Sequence, residues 1–486
     1  MPFTQKLETR IASSEHRKWW TLGAVAFALF MIMLDNTVVN VALPSIERGL
    51  GAGLSELEWV VNAYALSFAA LMLTGGKLAD LLGRRRIFLI GLGLFTGMSL
   101  ACGLAASPAE LIAFRALQGA GAALMLPATL AIISDAFPPR QRGMALGIWA
   151  GVSAMALAVG PLVGGLITEH INWSWIFFVN VPVGALGMLA GVAVIAESRD
   201  TSAVQSLDLP GLLSAGVGLF ALTFALVEAN RYGWSSAAII GLFVCAGAGL
   251  ALFLLIERRR RVPMLDLSLF RNTTFLGANI VALLVSLAMF GVFFFMSLYV
   301  QTILGYSPVQ AGAIFLPMTL LVVVVAPLAG RLSDLVGSRW LMAGGLALVG
   351  LSLLLFSRLG TGSDFWNLLP GLVVGGIGIA STMSPMTAAA MRSVPVAKAG
   401  VASGVLNTFR QVGGAMGIAV MGAILTSRES SALSGGANQA QAFIDGFSTS
   451  LEVAAVIAFL GAMTAALLIR RPPLAEAATA TGTVPA

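Results

Sequence analysis

The stretch GKLADLLGRRR (Gly76–Arg86) returns late in the chain as GRLSDLVGSRW (Gly330–Trp340). Each copy follows an apolar run, and glycines, acid and bases hold matching places. A second pair, PPRQRGMALG (Pro138–Gly147) and PVAKAGVASG (Pro395–Gly404), recurs at nearly the same offset. Two half-molecules follow from this duplication. In membrane proteins that organisation belongs to transporters, whose sites lie near the bilayer midplane where the repeats meet.

Composition agrees with a membrane setting. The 486 residues are 58% hydrophobic and 10% charged, with a mean hydropathy of +0.92, where a soluble domain carries about 25% charge. About 20 apolar residues cross the hydrocarbon. Fourteen such runs occur, at 19–43, 57–79, 87–106, 110–134, 144–168, 174–196, 209–229, 236–256, 274–299, 309–331, 340–357, 366–391, 401–426 and 447–469. In lipid the backbone must satisfy its own polar groups, which helices do, and the runs lack the alternation of barrel strands. The expectation is an all-α polytopic membrane protein with 14 transmembrane helices. An N-terminal tail (1–18) precedes a six-helix bundle (19–196). A linker (197–272) carries two extra helices (209–229 and 236–256) that have no repeat partner. A second six-helix bundle (273–469) ends in a tail (470–486) of disordered composition. The N-terminus is too long and too charged for a cleaved signal, so the first run is expected to stay.

Of the 28 Lys and Arg residues about 22 lie on one side, among them GRRR (Gly83–Arg86), PPRQR (Pro138–Arg142) and RRRR (Arg258–Arg261); the other side holds Arg48, Arg231, Arg358 and Arg428. Positive loops stay inside, which puts both termini in the cytoplasm and the protein in the plasma membrane. The net charge of +6 is therefore anchoring charge, and no nucleic-acid partner is expected. Cys102 and Cys245 sit in separate apolar runs, giving no disulfide framework. His16 and His170 stand apart, and no metal site is expected. No GxxxxGK loop points to ATP, and no triad or acid pair at one depth points to an enzyme; no cofactor is implied. A receptor on the same scaffold needs an appended output domain, for which the short tails leave no room.

Six motifs in order resemble one group. LDNTVVNVALP in helix 1, the helix 2 segment ending in GKLADLLGRRR, RALQGAGAA (Arg115–Ala123), GIWAGVSAMALAVGPLVGG (Gly147–Gly165), WSWIFFVNVPVG (Trp173–Gly184) and NTFRQVGGAMG (Asn407–Gly417) are similar to the fourteen-helix drug:proton antiporters of the major facilitator superfamily, the EmrB- and QacA-like branch. The resemblance covers nearly the whole chain. It implies the major facilitator fold and proton-coupled multidrug efflux of small lipophilic substrates by alternating access, with membrane lipids as surroundings and a monomer as the working unit. A dedicated exporter of one metabolite, antibiotic or lipid has the same motifs. Cation pumps of the family often carry extra acids in helices 10 and 13; here helix 10 has none in its core and helix 13 has Asn407, Arg410 and Gln411.

The residues divide into four constellations. Asp35 lies at membrane depth, where an acid costs roughly 2.5–3.5 kcal/mol on insertion scales and is usually functional. It sits about 24 Å along helix 1 at 1.5 Å per residue, and Arg115 enters helix 4 at similar depth. Opposed effects of burial and a cationic neighbour on such an acid make a switchable proton carrier. Gly76, Asp80, Gly83, Arg84 and Asp135, copied in Asp334 and Arg339, read as a latch; Asp80 is suited to cap a helix N-terminus, which the resemblance places at helix 11 of the other half. In helix 5, Gly147, Gly151, Gly160, Gly164 and Gly165 give close helix approach and Pro161 a bend, which the resemblance makes a leak-proof seam. Asn40, Asn62, Tyr64, Gln118, Met289, Phe293, Asn407, Arg410 and Gln411 are candidates to line the substrate cavity, Arg410 steering it toward neutral, zwitterionic or acidic amphiphiles. Asp35 is taken as the one acid deep in either bundle.

Overall fold

The computed structural model describes residues 14–199, 208–260, 263, 265, 267–394 and 399–470. The expectations for both outermost tails, for Arg261 of the RRRR cluster and for the start of PVAKAGVASG fall outside these residues, as do the side chains of Asp334 and the surroundings of Gly147.

Among the described residues the chain is helical throughout, without strands. In order it forms α1 (Ser14–Leu50), α2 (Leu54–Leu82), α3 (Arg84–Gly103), α4 (Pro108–Ala136), α5 (Pro139–His170), α6 (Trp175–Phe178 and Asn180–Val194), α7 (Leu209–Tyr232), α8 (Ala237–Arg259), α9 (Thr273–Leu298), α10 (Pro308–Ile314 and Leu316–Val336), α11 (Ser338–Phe356), α12 (Phe365–Arg392), α13 (Ala399–Ser434) and α14 (Gln439–Leu468). Twelve helices are long and apolar enough to cross a membrane; α2, whose pieces Leu54–Met72 and Thr74–Leu82 meet at 49°, makes a thirteenth. The run 144–168 lies within α5, a helix of 32 residues. This is a multi-pass membrane protein. Capping side chains mark where the chain re-enters helix: Asp208 accepts from the Gly211 amide at 2.9 Å, Asp364 from Asn367 at 3.1 Å and Asn438 from Gln441 at 2.8 Å. Each satisfies an amide that the first helical turn leaves free.

The two halves pack alike. In the first, α1 lies on α5 and α6, α2 on α4, and α3 on α4 and α6; in the second, α9 lies on α13 and α14, α10 on α12, and α11 on α12 and α14. The repeated glycine turns match as well. Gly83 and Gly337 adopt φ of 116° and 88°, a region closed to most side chains, and each lets one helix end and the next begin one residue later.

The halves meet through α2 with α13 and α5 with α10. Direct hydrogen bonds join them: Gln301 Nε2 donates to the Val41 carbonyl at 2.9 Å, and Glu169 accepts from the Val309 amide at 2.9 Å and from the Ser307 side chain. All lie toward the face opposite the termini. So do the closest backbone approaches: a Cβ added to Gly165 would sit 2.3 Å from the Pro308 carbonyl oxygen, and one on Gly312 2.2 Å from that of Pro161. The seam is shut at that face. The extra pair is lopsided: α7 packs on α2 and α13, over one seam only, and α8 packs on α7. A 3.1 Å Asp208–Arg260 ion pair joins their ends.

Candidate functional site

At mid-length of α1, Asp35 is fully buried, and its carboxylate is the centre of a polar knot drawn from four helices. Arg115 Nη1 of α4 donates to Oδ2 at 2.5 Å. Gln118 Nε2, one turn further on α4, donates to Oδ1 at 3.1 Å, and Asn180 Nδ2 of α6 donates to the same oxygen at 3.3 Å. Ser99 of α3 accepts from Gln118 at 3.2 Å and from Asn180 at 3.0 Å, and passes its own proton to the Phe177 carbonyl at 3.0 Å. Arg115 is held independently. Its Nε donates to the Val60 carbonyl at 3.1 Å, its Nη1 also reaches Gln118 Oε1 at 2.8 Å, and its guanidinium lies 4.2 Å from the Tyr64 ring centre.

The knot has a structural consequence. Three donors, one of them a full positive charge, hold the two oxygens of Asp35. Arg115 and Gln118 both sit on α4, so their hold on Asp35 ties α4 to α1. Asn180 and Ser99 were not singled out from sequence, although a polar residue inside an apolar run is the signal that marks them.

Asp80, Arg84 and Asp135 also come together. Arg84 donates from Nε and Nη2 to Asp80 Oδ1 at 3.1 and 2.9 Å, and from Nη1 to Asp135. Gly76 packs on Pro127 of α4. Glu197, after α6, caps α3 by accepting from the Arg85 and Arg86 amides, both at 3.2 Å. Among the described residues this cluster makes no hydrogen bond or ion pair to the second half, so the reach to α11 is not made here. In the copy, Ser338 stands where Arg84 does. Arg339 lies 4.9 Å from the Trp340 ring, and it is Arg392, at the foot of α12, that donates to Ser333 and Ser338, both at 3.1 Å.

The glycines of α5 divide by neighbour. A Cβ on Gly160 would meet Thr37 Oγ1 at 1.8 Å and one on Gly164 the Val38 Cα at 2.9 Å, so both serve the α1 contact within the first half; Gly165 alone serves the contact with α10. Gly151 has open space before it and packs against nothing. At the α10 end, hydrogen bonds from the Ser307 side chain and the Val309 amide hold Glu169, just past the apolar run, below the usual carboxylate range.

The cavity candidates differ in burial. Asn62, Tyr64, Gln118 and Met289 are buried; Tyr64 and Gln118 belong to the Asp35 knot, and Phe293 stacks 5.4 Å from Phe315. Asn40, Asn407, Arg410 and Gln411 are half-buried, with Arg410 Nε and Gln411 Nε2 unpartnered. A cleft of about 510 Å³ opens between α2, α4 and α7, and none of the candidates lines it. Nor is Asp35 the one buried acid: Glu58 and Glu228 are buried too. They lie near the ends of apolar runs, where sequence reading takes an acid for a solvated one.

Two six-helix repeats closed against each other at one face, the first with a buried ion pair in its core, define a membrane transporter. The chain belongs to the Major Facilitator Superfamily, whose family model matches residues 25–418. It is 38% identical over 475 residues to the puromycin resistance protein pur8 of Streptomyces alboniger, covering 96% of this chain and 94% of that one. It is 36% identical over 412 residues to the tetracenomycin C resistance and export protein of Streptomyces glaucescens (85% and 77% covered). With the multidrug resistance protein Stp of Mycobacterium tuberculosis it shares 39% over 410 residues (84% and 76%). Among solved structures it resembles a peptide transporter of the POT family, with a TM-score of 0.67 at 16% identity over 92% of this chain and 95% of that one. A bacterial homologue of the lysosomal transporter Spinster, solved inward-facing, gives 0.66 at 18% over 94% and 99%. At these identities the structures speak for the fold.

Proposed function

We propose that the protein is a proton-coupled exporter of lipophilic small molecules in the plasma membrane, with α5 as the fourteenth span and both termini cytoplasmic. The observation that carries this reading is the fully buried Asp35–Arg115 pair at membrane depth. With the termini inside, the shut face is the external one and the state is inward-facing. Asp80, Arg84 and Asp135 then wait on the cytoplasmic side for α11, which they meet when that side closes. A compound entering from the cytoplasm turns the halves outward; a proton arriving at Asp35 from outside returns them.

The named relatives support export of antibiotics and other drugs. Two are named for single compounds, puromycin and tetracenomycin C, which favours a narrow range as the second reading. Everted vesicles test both. With the lumen acidified by respiration, a transported compound added outside discharges the proton gradient, and vesicles lacking the protein show no discharge. A panel of neutral, anionic and cationic compounds separates broad from narrow. No discharge by any compound that the protein exports from cells contradicts proton coupling.

A further inference from the structure

Where α2, α7 and α13 meet, toward the shut face, two acids are buried outside the Asp35 knot. Glu228 of α7 accepts at Oε1 from the Ser55 hydroxyl at 2.8 Å and from Trp59 Nε1 at 3.3 Å. Its Oε2 is buried without a hydrogen-bond partner, and the nearest cation, Arg231 at 3.8 Å, has a side chain that is 72% exposed. Glu58 of α2 is 3% exposed. Its carboxyl fills the room that Gly422 of α13 leaves: a Cβ there would lie 1.8 Å from Glu58 Oε1. Ser55 and Trp59, which hold Glu228, flank Glu58 on α2, so the two acids lie side by side at the edge of the seam. One turn deeper on α2, Asn62 is fully buried, and neither atom of its amide has a partner. The other charged groups at this end are turned elsewhere. Glu56 caps the Gly53 amide at 2.8 Å, Glu110 of α4 caps Ala106 at 2.9 Å, and Arg428 of α13 lines a separate cleft beside Trp234.

We propose that Glu58 and Glu228 form a second protonation site, one proton shared between two carboxyls, that must be filled for the external face to close. The proposal rests on the reading above that this face is external and alternates between open and shut. Two carboxylates held together away from water do not both stay ionised; a shared proton turns their repulsion into a hydrogen bond. Opening the seam admits water to both and frees the proton. The proton comes from external water and returns there on reopening, so nothing else is consumed. The closed face binds more protons than the open one, so it is favoured at low external pH and lost as pH rises. For an exporter that sense is useful, because the face closes only after protons from the acidic side have replaced the departing compound. It also gives α7, which has no counterpart in the repeat, a function: it supplies one of the two acids.

Spin labels at Glu47→Cys and Ser431→Cys, both exposed positions, in a Cys245→Ser background report opening when the full-length protein is placed in lipid nanodiscs and distances are measured from acid to alkaline pH. The parent should lose its short-distance population as pH rises. Glu58→Gln removes a charge but no hydrogen bond, and Glu228→Gln keeps an oxygen for Ser55 and Trp59. Both should stay shut across the range, while Asp35→Asn keeps the parent's response. A parent that ignores pH, or Gln variants that follow the parent's curve, overturns the proposal. So does a response lost only in Asp35→Asn. Vesicle discharge, measured separately, tells failure of this site from failure of proton coupling itself.

Discussion

The two halves share a packing plan and differ in what they bury. Among the described residues every fully buried charged side chain lies in α1 to α4 or in the α7–α8 pair and its flank; from α9 onward none does. The offset that carries Gly76 onto Gly330 carries Asp35 onto Met289, which is buried in an apolar core. A duplicated scaffold has therefore kept its helix contacts twice and its ionic chemistry once. Contacts follow from small residues and apolar faces, which drift without losing shape. A buried ion pair is a poor stabiliser against an apolar replacement, so it persists where it has work to do.

The comparison breaks most visibly at Arg115. Arg115→Ala strands a buried carboxylate, and the cost should be about 3–5 kcal/mol, read as a large fall in folded yield and thermal stability in detergent. Met289→Leu at the mirrored place in the second half should cost under about 1.5 kcal/mol and leave drug-driven proton movement intact. An equal loss in both variants would mean that the halves do not divide the labour.

The α5 glycines sharpen the comparison at a smaller scale. Gly165→Ala forces α5 from α10 at the shut face and should shift cross-linking between these helices toward the open form, with export falling. Gly151→Ala meets empty space and trades glycine for a better helix former, worth up to about 1 kcal/mol, so export should hold and stability rise slightly. Smallest is Glu169→Gln, which keeps an oxygen for the Val309 amide and loses only the charge at a helix N-terminus. It should weaken closure of the shut face only slightly, seen as a modest rise in labelling of that face. The Glu169 carboxyl is held below its usual range, so the same weakening should appear in the parent only as pH falls through that lowered value.

Much of the architecture was legible because lipid imposes it. Runs of apolar residues had to become helices, and the repeated GKLADLLGRRR and GRLSDLVGSRW had to become equivalent turns. Asp35 and Arg115 were legible for the same reason: charges at that depth are too costly to be incidental. The rest depended on rotation about helix axes. Sequence places Asn62 and Asn40 at similar depth but not one sealed in a helix seam and the other half-open. It pairs Arg339 with Asp334 by analogy, while the turn puts Ser338 in the place of Arg84 and brings Arg392 from a distant helix. Glu58 and Glu228, 170 positions apart along the numbering, meet only because α7 folds back over one seam.

In the proposed cycle Asp35 exchanges its hold on Arg115 for a proton during export. In everted vesicles containing Asp35→Asn, whose amide oxygen still accepts from Arg115, the account predicts that a radiolabelled exported compound binds as it does to the parent while its addition discharges no protons from the lumen. Discharge at the parent's rate and stoichiometry would contradict it.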